Sequence, residues 1–303
     1  MDNSNLGLVI NEEVKDSGEV IHLIPNLRQT IQPKVLLRLG VFVPTLKSTG
    51  KGGRKNHSVD ATDSLSRLSI VEGEGYNQIQ IYGPRLDMDT DFKVWVGIVY
   101  ALSTKKMDKD HHLELNFADF AKYCGFDTKR IDKQLKERFD ASLTRIARTN
   151  ISFVKAVPGT DDRITINMHL VESTYYDSST GKIFIKPNQK LNTLYRVDGK
   201  TRLYLKALQV LSRKESAQAL YLYLAELPPN FYRIGFDRLR ERLQLTSHLA
   251  TRTPRLKKLC SSSMTLASSN TPLKKRAATT SSTFSNATPN FDFPGIVDIL
   301  RYL

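Results

Sequence analysis

The segment from Phe117 to Ala147 limits the possible folds of this chain more than any other. Residues 117 to 123 have the pattern of a short helix, and Gly125 is typical of the residue that ends one. Asp127 or Thr128 then begins a longer helix, about Thr128 to Ala147, with one apolar face. That face carries Ile131, Leu135, Phe139, Leu143 and Ile146. Two helices in this order predict a helix-turn-helix, whose second helix enters the major groove of DNA.

The flanking pattern predicts a winged helix around these two helices. Ahead of them, Ile79 and Ile81 alternate as a strand, residues 92 to 102 have helical spacing with Asp89 or Thr90 as the cap, and residues 113 to 115 are extended. After them, residues 150 to 156 and 164 to 176 alternate as two strands around a turn at 158 to 162, and residues 182 to 186 can add a third.

The next part of the chain repeats the beginning of this order. Residues 203 to 211 and 217 to 227 are predicted to be helical, followed by a break at Pro228 and Pro229, a short strand at 232 to 234 and a helix at 236 to 243. We therefore expect an α+β fold of tandem winged-helix domains, the second incomplete. The expected divisions are an N-terminal segment 1–75 with a flexible loop at 47–58 and a short buried element at 35–44, a first winged helix 76–195, a partial second winged helix 196–247, and a disordered or aberrant tail 248–303.

The net charge favours a polyanionic partner. The chain has 45 Lys and Arg against 31 Asp and Glu, a formal charge of +14 and a pI near 9.7, and phosphate neutralisation releases counterions from nucleic acid. Membrane surfaces and acidic proteins are polyanions too, so the motifs must decide. The candidate DNA-binding residues are Thr128, Lys129, Arg130, Lys133 and Lys136 in the first unit, and Arg213, Lys214, Arg238, Arg240 and Arg242 in the second.

The bland alternative is that these cations only solvate the outer faces of ordinary amphipathic helices, which are commoner than recognition helices. Beyond the candidates, Arg138, Arg145 and Arg148 also lie on the polar faces of the long helix. The predicted hairpin that follows the helix favours the DNA-binding interpretation.

No pattern indicates catalysis, a metal or a cofactor. The six histidines lack the HExxH spacing, and no GxxxxGK[ST] loop is present. Cys124 and Cys260 are far apart, which suggests neither a disulfide framework nor a zinc site. A rolling-circle nickase would need a nucleophilic Tyr and a His-hydrophobic-His pair, whereas His111 and His112 are adjacent and Tyr175 lies in a strand pattern. A nicking assay on supercoiled plasmid separates such an enzyme from a binding protein.

The chain has no run of 18 apolar residues, and its first residues do not form a basic region followed by an apolar stretch. We therefore expect a cytoplasmic protein.

Three long motifs carry a family resemblance: RLGVFVPTLKS at 38–48, GPRLDMDTDFKVWVGI at 83–98 and RKESAQALYLYLAELP at 213–228. With them, residues 20 to 247 closely resemble the RepFIB-type RepA initiators of low-copy plasmids. The resemblance implies two pseudo-symmetric winged-helix domains that bind directly repeated double-stranded DNA sites, called iterons, and open the origin for host replication proteins. It also implies autorepression and a possible homodimer, with no cofactor. The main alternative is a plain transcriptional regulator built from the same modules.

The chain departs from that family after residue 247. The family continues with a recognition helix and a wing, whereas this chain reads HLATRTPRLKKLC from His248, and 13 of the 26 residues from Ser261 to Asn286 are Ser or Thr. Such a composition cannot bury an apolar face, so we expect disorder. We interpret the segment as an out-of-frame tail. The alternative is a native flexible tail whose Lys and Arg residues track phosphates without specificity.

Overall fold

A computed structural model describes residues 25–44, 75–157, 159–197 and 199–226, together with the backbone of four short strand segments at 13–14, 20–21, 233–235 and 290–292. The mixture of helices and strands confirms the predicted α+β class. The helices are α1 Lys34–Arg38, α2 Asp91–Thr104, α3 Phe117–Tyr123, α4 Lys133–Ala147, α5 Leu191–Val197, α6 Leu205–Val210 and α7 Glu215–Leu224. The strands are β1 Glu13–Val14, β2 Val20–Ile21, β3 Gln29–Pro33, β4 Phe42–Val43, β5 Tyr76–Tyr82, β6 Leu86–Asp87, β7 Leu113–Asn116, β8 Asn150–Ala156, β9 Arg163–His169, β10 Val171–Asp177, β11 Lys182–Pro187, β12 Lys200–Tyr204, β13 Arg233–Gly235 and β14 Asn290–Asp292.

The winged helix is built from α2, β7, α3, α4, β10 and β11. Strand β11 lies between β10 and β7, and both pairings are antiparallel. The wing is therefore the β10–β11 hairpin, with its turn between Asp177 and Lys182.

The predicted hairpin was placed on the wrong strands. A single strand from Ile164 to Tyr176 is wrong, because the chain divides at Leu170 into β9 and β10, which lie in different sheets. Leu170 and Val171 are both buried, so the alternation of buried and exposed residues breaks there, and the amide of Leu170 bonds to the carbonyl of Thr149. Strands β8 and β9 do form an antiparallel hairpin, but it belongs to a separate sheet with β5.

Helix α2 covers the predicted residues, and its cap differs from the prediction. Neither Asp89 nor Thr90 caps it through its side chain. Instead, Oδ1 of Asp87 accepts hydrogen bonds from the amides of Thr90 (2.7 Å) and Asp91 (3.2 Å), and Oδ2 of Asp91 accepts one from the amide of Asp87 (2.8 Å). This reciprocal arrangement satisfies amides at the helix start that would otherwise lack partners.

Helix α4 begins later than predicted. Residues Thr128–Arg130 form a 3-10 turn whose first amides are capped by Asp127, with 2.9 Å from the amide of Lys129 to Oδ1. The α-helix itself starts at Lys133, because Asp132 is extended and its Oδ1 accepts from the amide of Leu135 at 2.7 Å.

The N-terminal segment is part of the same core as the two units. Strand β3 pairs antiparallel with β12, and Nε1 of Trp95 on α2 donates to Oε1 of Gln32 at 2.8 Å. Arg38 on α1 forms a buried ion pair with Glu226, just after α7. The predicted helical start at Leu203 is wrong, because Leu203 and Tyr204 belong to β12 and the helix begins at Leu205.

The predicted helix at 236–243 and the tail 248–303 lie outside the described residues, apart from the backbone of β14. The proposed domain boundaries stay a prediction.

Gly83 is expected to be the glycine of this fold least tolerant of a side chain. Its φ is +119°, and an added Cβ would lie 2.5 Å from the carbonyl oxygen of Arg148. We expect Gly83→Ala to lower the free energy of unfolding by about 2–4 kcal/mol, because backbone strain and a clash with main chain add. Urea unfolding measures the loss.

The matched control is Gly181→Ala in the wing turn. Gly181 also has a positive φ, of +68°, but an added Cβ would meet nothing within 4 Å. We expect it to cost roughly 1 kcal/mol, from backbone strain alone. Equal losses at Gly83 and Gly181 would contradict the predicted clash with Arg148.

Candidate nucleic-acid interface

The start of α4 presents cations and a hydroxyl to solvent. Thr128, Lys129 and Lys133 are exposed, and Lys136 is half-buried. Nζ of Lys133 lies 3.9 Å from Oε1 of Glu137, but with the lysine side chain 91% exposed this pair is weak. The structure therefore brings four of the five predicted residues of the first unit together on one solvent-facing helix start. Arg130 lies in the 3-10 turn, and its side chain is outside the described residues.

The apolar face of α4 fixes which side of the helix faces outward. As predicted, Leu135, Phe139, Leu143 and Ile146 are buried, and Ile131 packs against the core. The ring of Phe139 lies 5.0 Å from those of Phe117 and Phe126 and 5.8 Å from that of Phe120. These contacts hold the cations on the opposite face.

Two arginines of α4 have a different role from the lysines. Nη2 of Arg138 lies 3.2 Å from Oδ2 of Asp89 and 2.8 Å from Oγ1 of Thr90. Arg145 contacts the buried carboxylate of Asp91 through Nη2 at 2.6 Å and Nε at 3.0 Å. Both arginines dock α4 on the start of α2, so their charge is not available to phosphates. The acidic pattern DTD at 89–91 was the sequence signal for these pairs, and the sequence analysis did not use it.

The wing is closed by a hydrogen-bonded turn. Oδ1 of Asp177 accepts from the amide and hydroxyl of Ser179, and Oδ2 accepts from the hydroxyl of Thr180. These hydrogen bonds lower the pKa of Asp177 to about 2. The carboxylate therefore stays ionised at neutral pH and holds the turn.

The lysines of the wing sheet are paired with carboxylates. Nζ of Lys182 lies 2.5 Å from Oε1 of Glu114, and Nζ of Lys186 lies 2.9 Å from Oε1 of Glu172. The wing therefore offers a phosphate less net positive charge than the start of α4 does.

The cations of the second unit lie on another element. Arg213, with φ +64°, and Lys214 are exposed in the turn between α6 and α7. Arg238, Arg240 and Arg242 lie outside the described residues. The structure thus shows two of these five on the surface, and their contact with DNA stays a prediction.

The residues once considered for nicking chemistry are in ordinary structural positions. Tyr175 is exposed on β10, with its ring 5.9 Å from that of Phe184 on β11. The amide of His112 donates to Oδ1 of Asp108 within a loop. In the part of the chain that the structure describes, no group of three or more His, Cys, Asp or Glu is arranged to hold a metal ion. Among those same residues, no helix has the length and apolar character needed to span a membrane.

The comparisons with known proteins agree with this geometry. Residues 84–225 match the family described as "Initiator Replication protein, WH1". Replication protein RepA of Salmonella typhi is 44% identical over 260 residues, covering 84% of this chain and 72% of its own length. RepFIB replication protein A of Escherichia coli is 46% identical over 237 residues, covering 77% of this chain and 71% of its own length. The crystal structure of the Pi initiator protein in complex with iteron DNA is 13% identical, with a TM-score of 0.38 over 64% of this chain and 73% of that one.

The helix order, the wing and the basic start of α4 define a winged-helix protein of the DNA-binding class. The family can now be stated. The chain belongs to the initiator replication protein family, and the resemblance to RepFIB-type RepA proteins is confirmed.

Proposed function

We propose that this chain initiates plasmid replication by binding repeated double-stranded DNA sites, the iterons, at the origin, and that it represses its own promoter. The observation that carries the proposal is the cluster of exposed cations at the start of α4. In a winged helix this is the end of the helix that meets base edges in the major groove.

The charge distribution supports this orientation of the DNA. Arg138 and Arg145 are bound to the acidic start of α2, whereas Lys129, Lys133 and Lys136 point away from it. Flexible lysines suit phosphate contacts, and fixed arginine forks suit buried carboxylates. The same helix is thus anchored on one side by arginines and presents lysines on the other.

Replacing Lys129 and Lys133 together with alanine is expected to weaken binding to origin DNA. Each lost phosphate contact lowers the slope of log K against log salt by about 0.9, and each lost base contact costs about 1–3 kcal/mol. We expect a fall of about tenfold or more in affinity at moderate salt, with unfolding unchanged because exposed cations contribute little to stability. Titration of an iteron duplex at two salt concentrations, with urea unfolding alongside, measures both.

The matched control is Lys106→Ala with Lys109→Ala, which removes the same charge from the exposed loop between α2 and β7. A loss of affinity equal to that of the α4 variant would mean that only net charge matters. Unchanged affinity in the α4 variant would place the DNA-binding face elsewhere on the molecule.

We further propose that initiation by this chain involves no covalent step and no cofactor, that it acts in the cytoplasm with host replication proteins, and that a homodimer is one of its states. Tyr175, packed beside Phe184, has none of the described histidines among its recorded contacts. A plain transcriptional regulator remains the alternative function, and plasmid maintenance from the cognate origin in a host that supplies only this chain separates the two.

A further inference from the structure

A groove of about 330 Å³ lies away from the cations at the start of α4, between α2, the end of α3 and α6. Its walls are mainly apolar and include Phe92 and Val96 of α2 together with Leu205 and Leu208 of α6. We call it the α2–α6 groove. Because α2 belongs to the first winged helix and α6 follows β12, the groove lies where the two predicted units meet.

Exposed apolar side chains cluster at this groove. Leu27, which lines it, is 45% exposed, and Val210 at the end of α6 is 48% exposed. Within the described residues, only five large apolar side chains are so exposed, and these are two of them. An apolar groove with exposed apolar neighbours is typical of a binding surface rather than of ordinary solvated surface.

The charge around the groove is positive. Lys93 and Lys122 line it, and none of the residues that the structure places in its walls is a carboxylate. Nζ of Lys93 lies 5.1 Å from the centre of the Phe126 ring, at the start of the helix-turn-helix turn. Lys206 on α6 and Arg213 just after it are exposed nearby. The surface therefore favours a ligand with both apolar and acidic groups.

Duplex DNA fits this combination poorly. Its phosphates could meet Lys93 and Lys122, but its backbone has no apolar side chains to fill the floor between α2 and α6. An amphipathic helix meets both requirements, since apolar residues at i, i+3, i+4 and i+7 fill a groove and its flanking residues reach the rim.

We propose that the α2–α6 groove is a docking site for an acidic amphipathic helix of a partner protein. The apolar stripe of that helix lies on Phe92, Val96, Leu205 and Leu208, and its carboxylates meet Lys93 and Lys122. This surface is separate from the proposed DNA-binding face, so the initiator can hold DNA and a protein partner together.

The test uses the full chain and a synthetic helical peptide with leucines at i, i+3, i+4 and i+7 and glutamates on both flanks. Fluorescence anisotropy of the labelled peptide gives the affinity, and a scrambled peptide of the same composition is the ligand control. The groove variants are Leu27→Asp and Lys122→Glu. Their matched controls are Ile164→Asp on β9 and Lys106→Glu after α2, which make the same changes at exposed positions outside the groove.

We expect micromolar binding of the peptide, at least tenfold weaker binding in each groove variant, and unchanged binding in the controls. Absent binding at millimolar peptide, equal binding of the scrambled peptide, or equal losses in the control variants would each overturn the proposal. So would sedimentation that shows Leu27→Asp converting a dimer to a monomer, because the groove would then hold a second copy of this chain.

Affinity for an iteron duplex is measured on the same variants. We expect Leu27→Asp to keep its DNA affinity while it loses the peptide. A chain that fails to bind DNA but still binds the peptide through the groove would contradict the proposed function and leave the docking site supported.

Discussion

Arg145→Ala is expected to lower the free energy of unfolding by about 3–5 kcal/mol, because it leaves the carboxylate of Asp91 buried without its cation. The side chain of Asp91 is fully buried, and that of Arg145 is 16% exposed. Two guanidinium nitrogens contact both oxygens of Asp91, so alanine removes a bidentate pair. Urea unfolding, followed by circular dichroism, measures the loss.

The loss should depend on pH in a defined direction. Burial raises the pKa of Asp91 above its usual 3.8, and the hydrogen bond from Arg145 opposes that rise. Without Arg145 the pKa of Asp91 rises further, so the folded state binds a proton that the unfolded state has released. Stability of the variant then falls as pH increases through that raised pKa. We therefore expect Arg145→Ala to lose less stability at pH 5 than at pH 8.

Arg148→Ala is the matched control, since Arg148 is an exposed arginine at the end of the same helix. We expect it to change stability by less than about 0.5 kcal/mol. Asp91→Asn combined with Arg145→Gln should recover part of the loss, because neither partner is then a lone buried charge. A loss at Arg145 that equals the one at Arg148, or that does not change with pH, would rule out the buried pair as an important source of stability.

The helices of the winged helix could be predicted because their periodicity is local. Phe117–Tyr123 is a helix as predicted, and four of the five residues on the apolar face of α4 are fully buried, with Ile131 partly so. Each of these features depends on residues three or four positions apart. The start of α4 was missed by five residues, because Asp132 competes with Asp127 and Thr128 as a cap.

The sheets could not be predicted to the same degree, because pairing joins residues that are distant in sequence. Strands β8 and β9 have the predicted alternation, but nothing local shows that β5 joins them or that β7 pairs with β11. The pairing of β3 with β12 joins residues about 170 positions apart. The same reason hides the ion pairs of Arg138 and Arg145, whose partners lie on another helix.

The candidate site follows from the sequence only in part. The lysines at the start of α4 were identified because their spacing keeps them off the apolar face. The arginines on the same helix looked equivalent, and only the packing of α4 on α2 separates them. Arginine forms a rigid fork that suits a buried carboxylate, so Arg138 and Arg145 dock α4 and leave the lysines exposed for a ligand.

The chain is expected to prefer iterons less strongly than a version in which the reading frame after residue 247 is restored to that of its relatives. In a winged helix the recognition helix supplies most base contacts, and each good bidentate contact discriminates by about 1–3 kcal/mol. The sequence from His248 lacks the pattern of such a helix, and Arg238, Arg240 and Arg242 precede it, where we expect phosphate contacts without sequence preference. Binding to iterons would then depend mainly on the start of α4.

The comparison measures affinity for iteron and scrambled duplexes, for both versions, at two salt concentrations. We expect this chain to keep salt-sensitive affinity for both duplexes, because phosphate contacts dominate non-specific binding. The restored version should gain about tenfold or more in its preference for the iteron, which corresponds to about 1.4 kcal/mol. Unfolding of both versions is measured alongside, since a misfolded chain would lose affinity for both duplexes. If this chain already discriminates as well as the restored one, the out-of-frame interpretation of residues 248 to 303 is wrong, and that segment is a working part of the DNA-binding surface.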